Sequence, residues 1–232
     1  MRDIKVYTTY PHSCSYLEDQ EATTLFVDPR QRVDKTLYSK LSVLGFRRSG
    51  DHIYRPHCAN CEACIPARIP VHEFKSSRGQ RRIWQRNQDL RIVSTANASD
   101  EEAFELYRRY INQRHSDGDM YPPEREQFES FLNSVWDCTR YFRFYDKETL
   151  VAVAVVDALD DGLSAIYTFF DPDHPRRSLG VYAILWEVEQ ARKLELDYVY
   201  LGYWIQNCQK MAYKSDYRPL QVYQKNSWST LV

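Results

Sequence analysis

"LSAIYTFFDPDHPRRSLGVYAILWEVEQARKLELDYVYLGYW", Leu163 to Trp204, sets a strand, a turn, a helix and a second strand in one continuous run. In "LSAIYTFFDP" β-forming residues continue until Asp171 and Pro172 stop them. Beyond the turn, Val181, Ile184, Leu185, Val188 and Ala191 recur at helical spacing and draw an apolar stripe along a helix. "DYVYLGYW", ending at Trp204, is strand-like again. Upstream, "RYFRFYD" and "LVAVAVVDAL" are two more strands, and the turns at Lys147 to Thr149 and Asp160 to Gly162 are short enough to join antiparallel neighbours.

Toward the N-terminus, "LRIVSTA" reads as a strand and "KSSRGQRRIWQRN" as a helix opening near Ser76. Ser99 followed by Glu102 is a capping-box pattern ahead of "AFELYRRYINQRH", and "PPEREQFESFLNSVW" is a helix with Pro in its first turn. The first 70 residues mix short strand runs, "IKVYTT", "TTLFVDP" and "DHIYRPH", with a helix that carries Val33, Leu37, Leu41 and Leu44. The fold class predicted is therefore α+β: a mixed, mostly antiparallel sheet with helices over 71–232, packed against a smaller mixed region over 1–70.

Hydrophobic residues make up 43% of the 232 positions and charged residues 27%, with 7 glycines and 10 prolines, the balance of a folded chain and not of a disordered one. No apolar run approaches the ~20 residues that span a bilayer, and "MRDIKVYTTYPHSCSYLEDQ" lacks a secretion signal's apolar core, so a cytoplasmic protein without a membrane partner is expected. In a reducing compartment six cysteines are free thiols, ligands or catalysts sooner than disulfides. Three of them, Cys58, Cys61 and Cys64, stand at two-residue spacers in "YRPHCANCEACIPARIP". A zinc site or iron–sulfur cluster there needs a fourth ligand, which Cys14 supplies best, with His12 and His57 behind it. Packing as small apolar groups and redox sensing are the other two readings of these thiols.

The net charge of −1 hides a basic segment: from Arg47 to Arg91 ten basic residues face four acidic ones. Within it, Arg78, Arg81, Arg82 and Arg86 fall on one helical face, in an arc of roughly 140°.

Antiparallel strands, a glycine-led helix and another strand resemble the core of the GNAT acyltransferases, and "RRSLGVYA" resembles their phosphate-binding turn, except that Tyr182 stands where a small residue is expected. Three stretches together are more specific: "CSYLEDQEA" with "GFRRSGDHIYRPHCANCEACIPARIPV", then "YTFFDPDHPRRSLGVYAILWEVEQAR", then "YLGYWIQNCQKMAYKSDYRPLQVY". They resemble the aminoacyl-tRNA protein transferases, in particular the bacterial branch that moves leucine from leucyl-tRNA onto proteins beginning with Asp or Glu.

That resemblance implies an acyl transfer from a tRNA ester to a protein α-amine, which requires no cofactor for its chemistry. The eukaryotic branch also links N-terminal cysteines to an iron–sulfur cluster. The tRNA falls to Lys75, Arg78, Arg81, Arg82 and Arg86, since one basic face can follow phosphates without reading bases, with Trp84 as a stacking surface or a core residue. For the acidic N-terminal residue of the protein substrate, Lys210, Lys214, Arg176, Arg177 and Arg218 are the candidate cations. Tyr167, Tyr203 and Tyr213 are candidate hydrogen-bond donors to the amine or the oxyanion, and Asp171 is either a base or the turn-former of "FFDP". Three alternatives stay open: an arginyl-tRNA donor, a CoA-dependent N-acetyltransferase, and a non-catalytic tRNA-binding module.

Overall fold

The computed structural model describes residues 4–132, 134 and 136–231. In chain order the first part comprises β1 (Val6–Thr8), β2 (His12–Ser13), β3 (Glu21–Ala22), β4 (Thr24–Val27), α1 (Lys35–Val43), β5 (Arg47–Ser49), β6 (His52–Pro56) and β7 (Ile65–Pro70). Next come α2 (Arg78–Arg86), β8 (Arg91–Thr95), α3 (Glu101–Arg114), α4 (Arg125–Leu132), β9 (Thr139–Asp146), β10 (Thr149–Ala158) and β11 (Gly162–Phe170). The chain closes with α5 (Leu179–Lys193), β12 (Tyr198–Trp204), α6 (Gln209–Ala212), β13 (Gln221–Gln224) and β14 (Ser227–Thr230).

An eight-stranded sheet in the order β14-β13-β7-β12-β11-β10-β9-β8 carries the fold, which is α+β as expected. All its pairings are antiparallel except that of β11 with β12. Alternate residues of β10 go to opposite faces: Ala152, Ala154 and Val156 join the core under α5, while Val153 and Val155 join the core under α3 and α4. Burial on both faces explains why "LVAVAVVDAL" is continuously apolar where a half-exposed strand would alternate.

A four-stranded sheet, β1-β4-β6-β5, and α1 form the smaller N-terminal layer. Strand β7 follows it in sequence yet lies between β12 and β13 in the large sheet, so residues 65–70 belong to the second layer in space. Helix α2 opens with a capping box between Ser77 and Gln80, one residue after the expected start. Helix α3 is capped by Asp100, whose carboxylate accepts from the Ala103 N–H, and not by Ser99: an ionised side chain one residue on is the stronger acceptor at a helix N-terminus.

Candidate active site

The parallel ladder of β11 and β12 covers only Gly162–Ser164 against Tyr198–Tyr200. Past it β11 stays with β10 and β12 with β7, so the sheet opens between the two parallel strands toward their C-terminal ends. Gly202 lies on the β12 side of this opening, in a left-handed conformation (φ +78°) beside a bulge, and a side chain there would meet nothing within 4 Å. Phe170, ending β11, packs its ring 4.9 Å from that of Tyr110 of α3, and Gly180 of α5 lies so close that a Cβ would come 2.9 Å from the same ring. This contact gives Gly180 a packing role independent of any phosphate.

Tyr167 lies on β11 past the parallel ladder, and Tyr213 opens the helical turn that packs on β12. Tyr167 packs on Tyr110 and Phe131, and burial, with Tyr110 and Tyr107 beside it, pushes its phenol well above the usual range. Tyr213 is 43% exposed, and partial burial of its hydroxyl pushes the phenol up to about 12, with Tyr110 and then Glu187 adding to the shift. Both are donors at neutral pH, never phenolates. His115 places Nε2 3.0 Å from the Tyr110 hydroxyl, and burial followed by Lys210 and Arg114 lowers its pKa.

The other two expected catalytic groups are engaged elsewhere. The Tyr203 hydroxyl, on a 4% exposed residue, donates to the Gly45 carbonyl at 2.9 Å and ties β12 to the N-terminal layer. Asp171 receives Arg109 at 3.2 Å and the Asp173 N–H at 3.0 Å, the geometry of a turn-forming residue after β11.

Of the five expected cations, Arg177 is held by Asp89 at 2.8 Å and Asp146 at 2.7 Å, fastening the end of α2 to the β9–β10 hairpin. Arg176 is exposed, and its carbonyl accepts from Arg86. Lys210 reaches both oxygens of Asp117 at 2.8 Å and clasps α6 to the loop after α3. Arg218 is exposed, with its Nε 3.4 Å from the Ser215 carbonyl.

Lys214 differs from the others. It is 4% exposed, its ammonium touches the Tyr203 carbonyl and lies 3.1 Å from the Met211 sulfur, and burial, then the Arg47 guanidinium, lowers its pKa to about 7. Arg47 is equally buried: Nη1 donates to the Ser42 and Phe46 carbonyls, while Nε and Nη2 have no hydrogen-bond partner among the described residues. Among the same residues neither cation has an acidic partner. Two neighbouring buried cations without an anion create a local demand for a carboxylate. Sequence reasoning missed Arg47 because "GFRRSG" shows two arginines without telling which one is buried or unpaired.

Tyr203, Tyr54 and Cys64 line a cleft of about 1020 Å³ that also receives Cys14, Cys58 and Cys61. Lys214 and Arg47 do not line it; Lys214 lies behind its wall, with its ammonium on the carbonyl of the lining residue Tyr203. The four cysteines are free and half-buried. Burial and then the other three sulfurs push the Cys64 thiol up to about 12, which disfavours a thiolate nucleophile there. Among the described residues no three His, Cys, Asp or Glu side chains are disposed to hold a metal ion, so the arrangement does not fit a zinc or iron–sulfur site.

On α2, the exposed Arg78, Arg81, Arg82 and Arg86 line one open groove, with Lys75 exposed just ahead of the helix. Trp84 turns the other way, half-buried against the core with its ring 5.5 Å from that of Tyr182. Tyr182 is 3% exposed and packs under α2. Arg177 is ion-paired and Tyr182 is buried in packing, so two residues of "RRSLGVYA" are already engaged within the fold.

The site thus combines an opening between parallel strands, an exposed basic helix and a pair of buried cations. Family models described as arginine-tRNA-protein transferase, N terminus and C terminus, match residues 12–82 and 102–224. The chain is 56% identical to the aspartate/glutamate leucyltransferase of Pseudomonas savastanoi pv. phaseolicola, covering 98% of this chain and 97% of the relative. It is 54% identical to that of Teredinibacter turnerae, covering 98% and 94%. The structure of L-PGS from Bacillus licheniformis shares the fold, with a TM-score of 0.51 at 12% identity over 72% of this chain and 62% of that one. This chain belongs to the arginine-tRNA-protein transferase family, and within it groups with the aspartate/glutamate leucyltransferases. No helix among the described residues is long and apolar enough to cross a membrane.

Proposed function

We propose that this protein moves leucine from leucyl-tRNA to the α-amino group of proteins beginning with Asp or Glu, marking them for degradation, in the cytoplasm where charged tRNA is found. The observation that carries the reading is the 56% identity to an aspartate/glutamate leucyltransferase over 98% of the chain. In the reaction the acceptor nitrogen attacks the ester carbonyl, the C–N bond forms, the C–O bond to the tRNA ribose breaks, and the proton lost by the amine ends on the ribose hydroxyl. The exchange of an ester for an amide is downhill. An α-amine with a pKa near 8 is already partly neutral at pH 7, so positioning, worth ~7–11 kcal/mol at best, is the main task.

The core is read as GNAT-like on three features: the parallel pair β11 and β12, the helix α5 between them in sequence, and the bulge at Val155/Val156 beside their opening. Lys75 and the exposed face of α2 bind the acceptor stem, since exposed cations gathered on one face can meet successive phosphates. Lys214, with Arg47 beside it, takes the acidic side chain, because a carboxylate arriving there relieves two buried positive charges at once. Lys210 and Arg177 act on the site through the loops they clasp. Tyr213 and Tyr167 offer hydroxyl donors to the developing oxyanion.

Labelled Leu-tRNA and Arg-tRNA are offered with peptides beginning Asp, Glu or Ala. Transfer of leucine to the two acidic peptides alone is expected. No transfer to them overturns the reading, and transfer from Arg-tRNA instead moves it to an arginyl donor.

A further inference from the structure

Helix α3 runs out into "RHSDGD", Arg114 to Asp119, and the chain there is fastened at two places. On one side Tyr110 lays its ring 4.9 Å from that of Phe170, and the Arg114 guanidinium stands 5.5 Å from the centre of the same ring, so α3 ends against the end of β11. On the other side both oxygens of Asp117 are held at 2.8 Å by Lys210 of α6, a helix that packs on β12. These are the two strands that part beyond Ser164 and Tyr200. The stretch from Tyr110 to Asp117 therefore reaches from one side of the opening to the other, and His115 lies within it.

The His115 ring is held at one nitrogen and open at the other. Its backbone closes the helix, with the N–H donating to the Ile111 carbonyl at 2.9 Å and the carbonyl accepting from Gly118 at 3.1 Å. The ring centre lies 4.9 Å from that of Tyr110, and Nε2 meets the Tyr110 hydroxyl at 3.0 Å. Nδ1 has no hydrogen bond among the described residues, and the residue is only half-buried. Burial pushes the Tyr110 phenol up to about 12, so its oxygen keeps a proton at neutral pH. With Nε2–H donating to that oxygen, Nδ1 keeps its lone pair. The charged groups around the ring are Lys210 from α6, Arg114 from α3 and Asp117 from the loop, and the two cations add to burial in favouring the neutral imidazole. A histidine kept only to cap a helix needs neither the tyrosine contact nor a free nitrogen.

Resting on the leucyl-transfer reading, we propose that His115 is the proton carrier of the reaction, taking a proton from the acceptor nitrogen and giving it to the ribose oxygen that leaves. When the amine attacks the ester, the C–N bond forms, the carbonyl electrons move to oxygen and the nitrogen becomes cationic. Until it loses a proton, that nitrogen is a better leaving group than a ribose alkoxide, and the intermediate falls back to the reactants. Nδ1 takes the proton, the carbonyl re-forms, the C–O bond to ribose breaks, and the imidazolium protonates the departing oxygen. The imidazole ends as it began, and no further reactant is consumed. Positioning brings the amine to the ester; His115 decides which bond the intermediate breaks.

His115→Gln sets an amide nitrogen in place of Nε2, which preserves a donor to Tyr110 but removes every nitrogen able to take a proton. Its single-turnover rate with saturating leucyl-tRNA and a peptide beginning Asp is expected to fall by about a hundredfold or more, the usual effect of losing a general acid–base, with both KM values unchanged. His115→Ala is expected to regain rate when imidazole is added, and across a set of substituted imidazoles the regained rate is expected to follow their pKa. A His115→Gln enzyme at the wild-type rate overturns the proposal, and so does a loss confined to either KM. A His115→Ala enzyme that imidazoles do not restore, or restore according to their size and not their pKa, overturns it as well. Should neither variant fold, wild-type protein is treated with diethyl pyrocarbonate, which acylates neutral imidazole. Loss of rate is expected to track the label that mass spectrometry finds on His115, and a fully labelled His115 with the rate intact overturns the assignment. Wild-type protein that makes no product from leucyl-tRNA defeats the leucyl-transfer reading itself, a different result from all of these.

Discussion

Arg48 and Asp157 form a fully buried ion pair across the junction of the two layers, Nε to Oδ2 at 2.5 Å and Nη2 to Oδ1 at 2.9 Å. Tyr38 of α1 donates to the same carboxylate at 2.9 Å and Thr139 of β9 at 2.6 Å, so Asp157 gathers the N-terminal layer onto the large sheet. Asp157→Ala leaves a buried guanidinium without its anion and is expected to lower unfolding free energy by about 3–5 kcal/mol. Urea denaturation measures it, and a loss under about 1 kcal/mol would show that the pair does not join the layers.

Exchanging Arg81 and Arg82 for Glu removes two cations from the open face of α2 without touching its capping box. The KM for leucyl-tRNA is expected to rise about tenfold or more. Its log–log dependence on salt is expected to flatten by a slope of about one for each phosphate that the helix no longer neutralises. The KM for the acceptor peptide stays put. An unchanged salt dependence would move the tRNA off this helix.

Lys214→Met removes one of the two buried cations and leaves Arg47. Selectivity for a peptide beginning Asp over one beginning Asn is expected to fall by about tenfold or more, the worth of a hydrogen bond to a charged group. Competition between the two peptides for one labelled donor measures it, and equal discrimination by variant and wild type would clear Lys214 of a part in acceptor choice.

Tyr203→Phe and Tyr213→Phe separate a tether from a reacting group. The first loses a hydrogen bond to the Gly45 carbonyl and is expected to cost about 1 kcal/mol of stability with kcat nearly unchanged. The second is expected to reduce kcat by about tenfold or more at unchanged stability, as removal of an oxyanion donor does. Thermal melts alongside single-turnover rates distinguish them, and the reverse pattern would return Tyr203 to the catalytic set.

Glu187, fully buried on α5 with no hydrogen-bond partner for its carboxyl among the described residues, makes stability depend on pH. Its acid is raised from 4.5 to about 8, so between those values the folded protein holds a proton that the unfolded chain has released. Stability contributed by this site is full below about pH 4.5 and is lost as pH rises toward 8. The gap in unfolding free energy between Glu187→Gln and wild type is therefore expected to widen in favour of the variant across that window, to on the order of 1–3 kcal/mol. A gap independent of pH would mean the acid is paired.

The strands β9 to β11, the helix α5 and the strand β12 were legible because periodicity there is unbroken. Strand β7 was not: Pro66 and Pro70 argue against a central strand, and only the register, which puts them opposite Tyr203 and Tyr198 at its ends, shows how they are tolerated. The β13–β14 hairpin turns on Lys225 and Asn226, both at positive φ, and a lysine there gives no cue of a turn. At the site, a basic face declares itself by spacing, so α2 could be found. Arg47 could not, since a buried charge and a surface charge are the same letter, and only the tertiary surroundings tell whether a partner exists. The cysteines show the converse: close spacing in sequence set them in one cleft without giving them the convergence that metal ligands need.

Strand β7 finally sets a timetable for synthesis. Both of its neighbours come from the last part of the chain, so after Pro70 has been made its edges stay bare until Tyr198 onward follows, roughly 130 residues or 6–26 seconds later at ribosomal speed. An unpaired strand is a template for aggregation in that interval, and two prolines and an arginine in "IPARIP" blunt it while it waits. The prolines that hide the strand from a reader of the sequence thus also hide it from other nascent chains.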